Sequence, residues 1–139
     1  MCIRDSFTAA TVIDPKNDAV DNYRPSSHLG GPATARTQLA RSDNGAAVVT
    51  AHDGGLSSVR ELIRRATGSS SDELTGMLAI GGSAGCEVSP LSLAEAYSLF
   101  PNNGIKSSHT PFAAVYRDGV RVQLPPQSSE RIILSLIHI

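Results

Sequence analysis

The stretch LARSDNGAAVV, residues 39–49, decides how the rest of the chain is interpreted, because it places three short polar residues between two helical segments. Ser42, Asp43 and Asn44 all favour a helix start, where a side-chain oxygen accepts hydrogen bonds from the free N–H groups of the first turn. The simplest interpretation is therefore a helix that begins at Asn44. A helix start can also hold side chains at the edge of a cleft, where a hydroxyl relays protons and a carboxamide holds a substrate amide.

The sequence around this triplet predicts two consecutive helices. A short helix covers residues 34–41 and carries the apolar Leu39. The second helix begins at Asn44 and continues until the paired glycines at 54 and 55, which stop it. The stretch at 14–33 mixes proline, glycine, asparagine and aspartate without a period, which is typical of an extended surface segment.

Two further helices are predicted downstream. Ser58 and Glu61 have the spacing of a capping box, and Gly68 ends the helix that they begin. Ser89 is the expected cap of the next helix, with Pro90 in its first turn. Apolar residues recur at helical spacing in both, at Val59, Leu62, Ile63 and Ala66 and at Leu93, Ala96, Tyr97 and Phe100. We expect these faces to pack in the core, although the second could instead bind a partner.

Near the end of the chain, FAAVYRDGVRVQL at 112–124 predicts a β-hairpin. Asp118 and Gly119 lie between two β-prone runs, and Asp-Gly is a preferred pair for a two-residue hairpin turn.

Composition excludes some classes of function. The net charge is −1, so the chain lacks the basic surface expected of a protein that binds nucleic acid or an anionic membrane. No apolar run approaches the roughly 20 residues that span a bilayer. The aromatic content of 4% is low for a chain that must build its own core, which suggests part of a larger domain.

The two ends resemble technical sequence. Residues 1–6, MCIRDS, and residues 134–139, LSLIHI, can be encoded by opposite strands of one short DNA duplex, as expected for a transposon-end adapter. We therefore expect residues 7–133 to be the natural part of the chain. Without Cys2, Cys86 has no partner for an internal disulfide.

Two other kinds of site have the right residue types but the wrong arrangement. Ser42, His52 and Asp53 could supply a hydrolytic triad, but adjacent helical residues point about 100° apart, so we expect His52 and Asp53 not to face each other. The possible metal ligands His28, His52, His109 and Cys86 lack the close spacing of a zinc site. We therefore expect no metal.

Two blocks of sequence resemble the transpeptidase domain of class A penicillin-binding proteins. Ser-Asp-Asn belongs to the motif set of penicillin-binding proteins and serine β-lactamases. The first block fits the family's Tyr-x-Pro, Gly-Pro-x-Thr-x-Arg and Ser-x-Asn-x-x-Ala-Val elements, through Tyr23, Pro25, Gly31, Pro32, Thr34, Arg36, Leu39, Ser42, Asn44, Ala47 and Val48. The second block, residues 78–105, is similar to the family's Val-Ser/Thr-Pro-Leu-x-Leu-Ala-x-Ala-Tyr helix. The resemblance covers nearly all of residues 7–133.

The resemblance implies an α+β fold, of which this chain would be the α-rich central fragment, and serine acyl transfer that cross-links peptidoglycan stem peptides. By position, Ser42 would relay a proton between the catalytic lysine and the leaving or attacking amine. Asn44 would hydrogen-bond an amide carbonyl of the donor peptide or of a β-lactam. Asp43 occupies the variable middle position and is expected to be structural. No cofactor is implied.

The chain departs from the family in what it lacks. Residues 7–133 contain neither Ser-x-x-Lys nor Lys-Thr-Gly, so the nucleophile, the base and the substrate-binding strand are missing, and this fragment alone is expected to be inactive. The resemblance implies an extracytoplasmic parent held by a membrane anchor outside this fragment. The alternatives are a class A β-lactamase-like hydrolase and a catalytically dead homologue that serves as a binding module. The oligomeric state stays open.

Overall fold

The computed structural model describes residues 7–15, 23, 25, 31–69 and 71–133. Within these parts, four α-helices, one 3₁₀ helix and three two-stranded antiparallel sheets form a mixed α/β fold. The combination of helices with antiparallel strands confirms the coarse fold prediction. The terminal segments 1–6 and 134–139, predicted to be adapter sequence, lie outside the described residues, as does much of the segment 14–33.

A strand pair leads into the first helix. Strand β1 (Val12–Ile13) pairs antiparallel with β2 (Ala33–Thr34), and helix α1 (Ala35–Ala40) follows directly. The hydroxyl of Thr34 caps α1 by accepting a hydrogen bond from the Thr37 amide at 3.3 Å. The short helix predicted at 34–41 is confirmed.

Helix α2 (Asn44–Gly54) begins where the sequence predicts. Asp43 is its N-cap, and the carboxylate accepts a hydrogen bond from the amide of Ala46 at 2.9 Å. Gly55 is the C-cap that follows the helix, and its φ of 86° lies in the range that favours glycine. One member of the polar triplet, Asp43, therefore explains the helix start.

Helix α3 (Leu56–Thr67) begins two residues before the predicted cap. The predicted capping box of Ser58 and Glu61 is wrong, because α3 follows α2 almost directly and Ser58 already lies inside its first turn. The carboxylate of Glu61 instead accepts hydrogen bonds from the Arg64 guanidinium at 2.8 and 2.7 Å. Gly68 ends the helix in the left-handed conformation, as predicted.

A 3₁₀ helix (Gly76–Ile80) and helix α4 (Pro90–Ser98) follow. The hydroxyl of Ser89 caps α4 by accepting a hydrogen bond from the amide of Ser92 at 3.1 Å, which confirms the predicted start. The 3₁₀ helix packs along α2. Ala46, Val48 and Ala51 on α2 and Leu78 on the 3₁₀ helix are buried.

The remaining strands form two separate pairs. Strand β3 (Ile105–Ser107) pairs antiparallel with β6 (Ser129–Arg131), and β4 (Val115–Arg117) pairs with β5 (Val120–Val122). Asp118 and Gly119 join β4 to β5 with φ values of 52° and 77°, as a type I′ turn requires. The predicted hairpin is confirmed.

The predicted core face of α4 is mostly exposed. Leu93, Tyr97 and Phe100 keep 45, 66 and 52% of their surface accessible. The helix instead packs Ala96 against a small buried cluster of Ala66, Leu99 and Ile132. The prediction that the whole face is core is wrong, because the neighbouring elements α3 and β3 cover only one side of α4.

Candidate functional site

The connection between α1 and α2 is a Schellman motif built around Ser42. The Ser42 amide donates to the Leu39 carbonyl oxygen at 3.0 Å, and the Asp43 amide donates to the Gln38 carbonyl oxygen at 3.0 Å. Between these two bonds the backbone of Ser42 adopts a left-handed conformation, with φ at 55°. This pair of hydrogen bonds satisfies the last carbonyls of α1 and turns the chain into α2.

The left-handed position in such a motif usually belongs to glycine, which has no Cβ to clash with the backbone. Holding another residue there costs about 1 kcal/mol or more. The other described non-glycine residues with positive φ are Asn103 and Asp118, whose side chains tolerate this region better than serine does. Ser42 thus occupies a position where the backbone conformation favours glycine.

Ser42 and Asn44 line the same open groove, which has a volume of about 600 Å³. Asn44 is the first residue of α2 and is half-buried, whereas Ser42 is exposed. The other described walls come from β1, α1, α2, α3 and the 3₁₀ helix, and include Ile13, Ala35, Gln38, Leu39, Ala47, Thr50, Ala51, Val59, Ala79 and Ile80.

The groove walls are mainly apolar, with a few hydrogen-bonding groups. Asp43 is the single ionisable residue among the described lining residues, and it is 3% exposed because it caps α2. Within the described chain, no residue hydrogen-bonds the hydroxyl of Ser42 or the carboxamide of Asn44. These two groups can therefore donate to and accept from a molecule in the groove. Apart from the Asp43 carboxylate, which caps α2, none of the described wall residues can serve as a general base.

The structure thus places both predicted site residues, Ser42 and Asn44, on one groove beside a common turn. Asp43 has the structural position expected of it, as the buried cap of α2. The chemical roles assigned to Ser42 and Asn44 stay predictions.

His52 and Asp53 were predicted not to face each other, and this prediction is wrong. Their side chains do approach each other, with Nδ1 of His52 3.5 Å from Oδ1 of Asp53. Both side chains are more than half exposed, because they lie in the last turn of α2, where solvent leaves their rotamers free to converge. Asn44 and His52 are separated by about 12 Å along the helix axis, at 1.5 Å per residue. The pair therefore lies at the opposite end of α2 from Ser42 and does not complete a triad.

The burial of Gln38 was not predicted: this residue is 2% exposed, while its apolar neighbour Leu39 is 83% exposed. Hydrophobicity alone predicts that Leu39 is buried and that Gln38 is exposed. The available signal was the spacing of Gln38 three residues after Ala35, which puts both on one face of α1.

A second polar contact lies away from the groove. Nδ1 of His109 pairs with Oε1 of Glu95, and the backbone amide of His109 donates to the same oxygen at 2.9 Å. The side-chain hydrogen bond from His109 is the main reason that the pKa of Glu95 lies below its ordinary value of 4.5. Across the described residues, no three side chains of histidine, cysteine, aspartate or glutamate cluster as metal ligands would.

No protein-family model and no curated protein sequence matches the chain. In the described parts, none of the helices has the length and apolar character needed to traverse a bilayer.

Proposed function

We propose that the chain is the central part of a peptidoglycan D,D-transpeptidase domain from a class A penicillin-binding protein. Two sequence blocks, residues 23–48 and residues 78–105, support this proposal because they resemble that family in both order and spacing. The proposed fold is the α-rich centre of the family's α+β domain. The mixed α/β character of the described residues is compatible with this assignment.

The observation that carries the proposal is the left-handed backbone of Ser42 beside Asn44 on the groove wall. A strained residue that is less suitable than glycine for its own turn favours a functional explanation over a structural one. Asp43 already caps α2, so helix capping does not explain the hydroxyl of Ser42.

In the proposed reaction, a serine outside this segment attacks the carbonyl of the penultimate D-alanine in a stem peptide. The new ester forms as the peptide bond to the terminal D-alanine breaks, and that D-alanine leaves as a free amine after it takes up a proton. An amine from a neighbouring stem then attacks the ester, and the serine oxygen regains a proton. Ser42 would relay these protons to and from a lysine, since its hydroxyl can donate and accept at once.

Asn44 would hold the donor peptide through its carboxamide, whose N–H groups can donate to an amide carbonyl of the substrate or of a β-lactam. Fixing the donor in this way keeps its reactive carbonyl in place during both steps. The parent protein would act on the outer side of the cytoplasmic membrane, attached by an anchor that is not part of this chain.

The test is covalent labelling of the full-length parent with a fluorescent penicillin. We expect Ser42→Ala and Asn44→Ala each to lower the labelling rate by about 100-fold or more, as is typical for removing a group that helps proton transfer or positioning. Ser57→Ala is the matched control, because Ser57 is an exposed serine on α3. Unchanged labelling of both site variants would contradict the assigned roles.

Two further measurements separate the alternatives. A wild-type parent that binds peptidoglycan but forms no penicillin adduct would support a catalytically dead binding module instead. A parent that releases hydrolysed penicillin rapidly after acylation would support a β-lactamase-like hydrolase. The isolated 139-residue chain is expected to form no adduct, and an adduct on it would show that the nucleophile lies within this segment.

A further inference from the structure

Gln38 is a buried polar residue on a short helix. It is 2% exposed, although it belongs to a helix of six residues that has the apolar Leu39 at its surface. Burying a carboxamide costs free energy unless hydrogen bonds replace its contacts with water. Core packing alone therefore does not explain why Gln38 is buried.

The side chain of Gln38 joins two separate parts of the chain. Its Nε2 donates to the carbonyl oxygen of Ile13 on β1 at 3.2 Å and to the carbonyl oxygen of Gly31, just before β2, at 3.3 Å. The Gln38 backbone carbonyl in turn accepts the hydrogen bond from the Asp43 amide at 3.0 Å. One residue thus connects the strand pair to the turn that holds Ser42.

Core packing alone does not favour glutamine at this position. Its Oε1 is buried and accepts no hydrogen bond from any described residue. Methionine has a similar shape and would fill the site without the cost of an unpaired buried oxygen. The groups that glutamine adds are the two N–H donors, which bond to the backbone carbonyls of Ile13, a residue that lines the groove, and of Gly31.

We propose that Gln38 is a positioning residue that fixes the Ser42–Asn44 turn against the β1–β2 strand pair. This inference rests on the proposed transpeptidase function. Although Gln38 contributes to the groove wall, its polar atoms would not bind the substrate, because Nε2 donates to two backbone carbonyls and Oε1 is buried. It would act by keeping the hydroxyl of Ser42 and the carboxamide of Asn44 at fixed distances from groups on the opposite side of the groove.

The experiment compares the full-length parent with its Gln38→Met variant, which keeps the side-chain volume and removes both donors. Gln123→Met is the matched control, because Gln123 is exposed and remote in sequence from the turn. We expect Gln38→Met to lower the rate constant of acylation by fluorescent penicillin about 10- to 100-fold, as displacements of about 1 Å do. The melting transition should remain cooperative, and Gln123→Met should acylate at the wild-type rate.

Hydrogen exchange supplies a readout that needs no substrate. In Gln38→Met, we expect the amide of Asp43 to exchange faster than in the wild type, while the amides in the middle of α2 keep their protection. A purely structural role would instead raise exchange throughout α1 and α2 and leave the acylation rate of the folded molecules unchanged.

The outcomes distinguish the two proposals. If the wild-type parent forms no adduct, the transpeptidase proposal fails, and the exchange of the Asp43 amide alone decides whether Gln38 fixes the turn. If the wild type is acylated and Gln38→Met reacts at the same rate, the positioning role is wrong and the transpeptidase proposal stands. Should Gln38→Met not fold, Gln38→Glu keeps a polar side chain of the same length without the two N–H donors, and acylation at the wild-type rate would overturn the inference.

Discussion

The amide of Asp43 donates to the carbonyl oxygen of Gln38 at 3.0 Å, and this bond closes the turn that holds Ser42 in its left-handed conformation. The same turn places the hydroxyl of Ser42 on the groove and the carboxylate of Asp43 at the start of α2. Backbone geometry, helix capping and the candidate site therefore depend on three consecutive residues. Their contributions can be separated by substitution, because each residue satisfies a different requirement.

Replacing Ser42 with glycine should separate stability from function. Glycine removes the Cβ that is strained at a φ of 55°, but it also gives the unfolded chain more freedom. We expect the free energy of unfolding to stay the same or to rise by up to about 1 kcal/mol, measured by urea denaturation. Penicillin labelling of the parent should nevertheless fall as much as in Ser42→Ala.

Ser42→Ala is the control for this comparison, because it removes the hydroxyl and keeps the Cβ. It should be no more stable than the wild type. If Ser42→Gly lowered stability markedly, or if it were labelled as fast as the wild type, the functional explanation for the strained serine would be wrong.

Removing the cap of α2 should destabilise the chain. Asp43→Ala leaves the amide of Ala46 without its 2.9 Å hydrogen bond and opens space at a residue that is 3% exposed. We expect the free energy of unfolding to fall by about 1–2 kcal/mol, as for other N-cap deletions. Urea denaturation followed by far-ultraviolet circular dichroism measures this change.

Asp43→Asn is the matched variant, since asparagine keeps an oxygen that can cap the helix while it loses the charge. It should be destabilised less than Asp43→Ala. Equal losses in the two variants would show that the charge of Asp43, and not the capping hydrogen bond, stabilises this turn.

Local signals predicted the elements that local chemistry determines. The starts of α2 and α4 and the Asp118–Gly119 turn follow from side chains that bond to backbone groups within three residues, or from residues that favour positive φ. The same signals placed Ser42 and Asn44 at a helix start. They did not reveal the left-handed backbone of Ser42, since no glycine marks that position.

Longer-range features could not be predicted in this way. Strand β6 reads Ser-Glu-Arg and pairs with β3, although more than 20 residues separate them, so neither apolar alternation nor a short turn identifies the pair. The burial of Gln38 in place of Leu39 depends on carbonyls supplied by Ile13 on β1 and by Gly31, two residues before β2. In a helix as short as α1, such tertiary contacts decide which face is buried.

Gly104 is expected to tolerate no side chain. Its φ is 78°, and an added Cβ would lie 2.3 Å from the carbonyl oxygen of Ile133, which belongs to the backbone and cannot move easily. The Gly104 carbonyl also accepts the amides of Ile132 and Ile133 at 2.8 and 3.1 Å. We expect Gly104→Ala to lower the free energy of unfolding by about 3 kcal/mol or more, through backbone strain combined with a steric clash.

Gly119→Ala is the matched control, because Gly119 has nearly the same φ, 77°, but open space around its Cα. Gly119→Ala should lower the free energy of unfolding only through backbone strain, by about 1 kcal/mol. Similar losses in both variants, measured by urea denaturation, would show that the close approach of Ile133 to Gly104 does not contribute.

Acid should weaken the contact between Glu95 and His109. The side-chain hydrogen bond from His109 is the largest influence on the pKa of Glu95, which lies below 4.5 in the folded chain, and Lys106 adds a smaller attraction. A carboxyl whose pKa is lower in the folded than in the unfolded state stabilises the fold fully above its unfolded pKa. This stabilisation is lost as the pH falls through the folded pKa.

We therefore expect the free energy of unfolding of Glu95→Gln to fall less steeply than that of the wild type as the pH is lowered through 4.5 and below. Urea denaturation at a series of pH values provides the measurement. Glu87→Gln, at an exposed glutamate before α4, is the control and should follow the wild-type curve more closely. If the free energies of unfolding of Glu95→Gln and the wild type changed equally with pH, the hydrogen bonds from His109 would not favour the ionised form of Glu95 in solution.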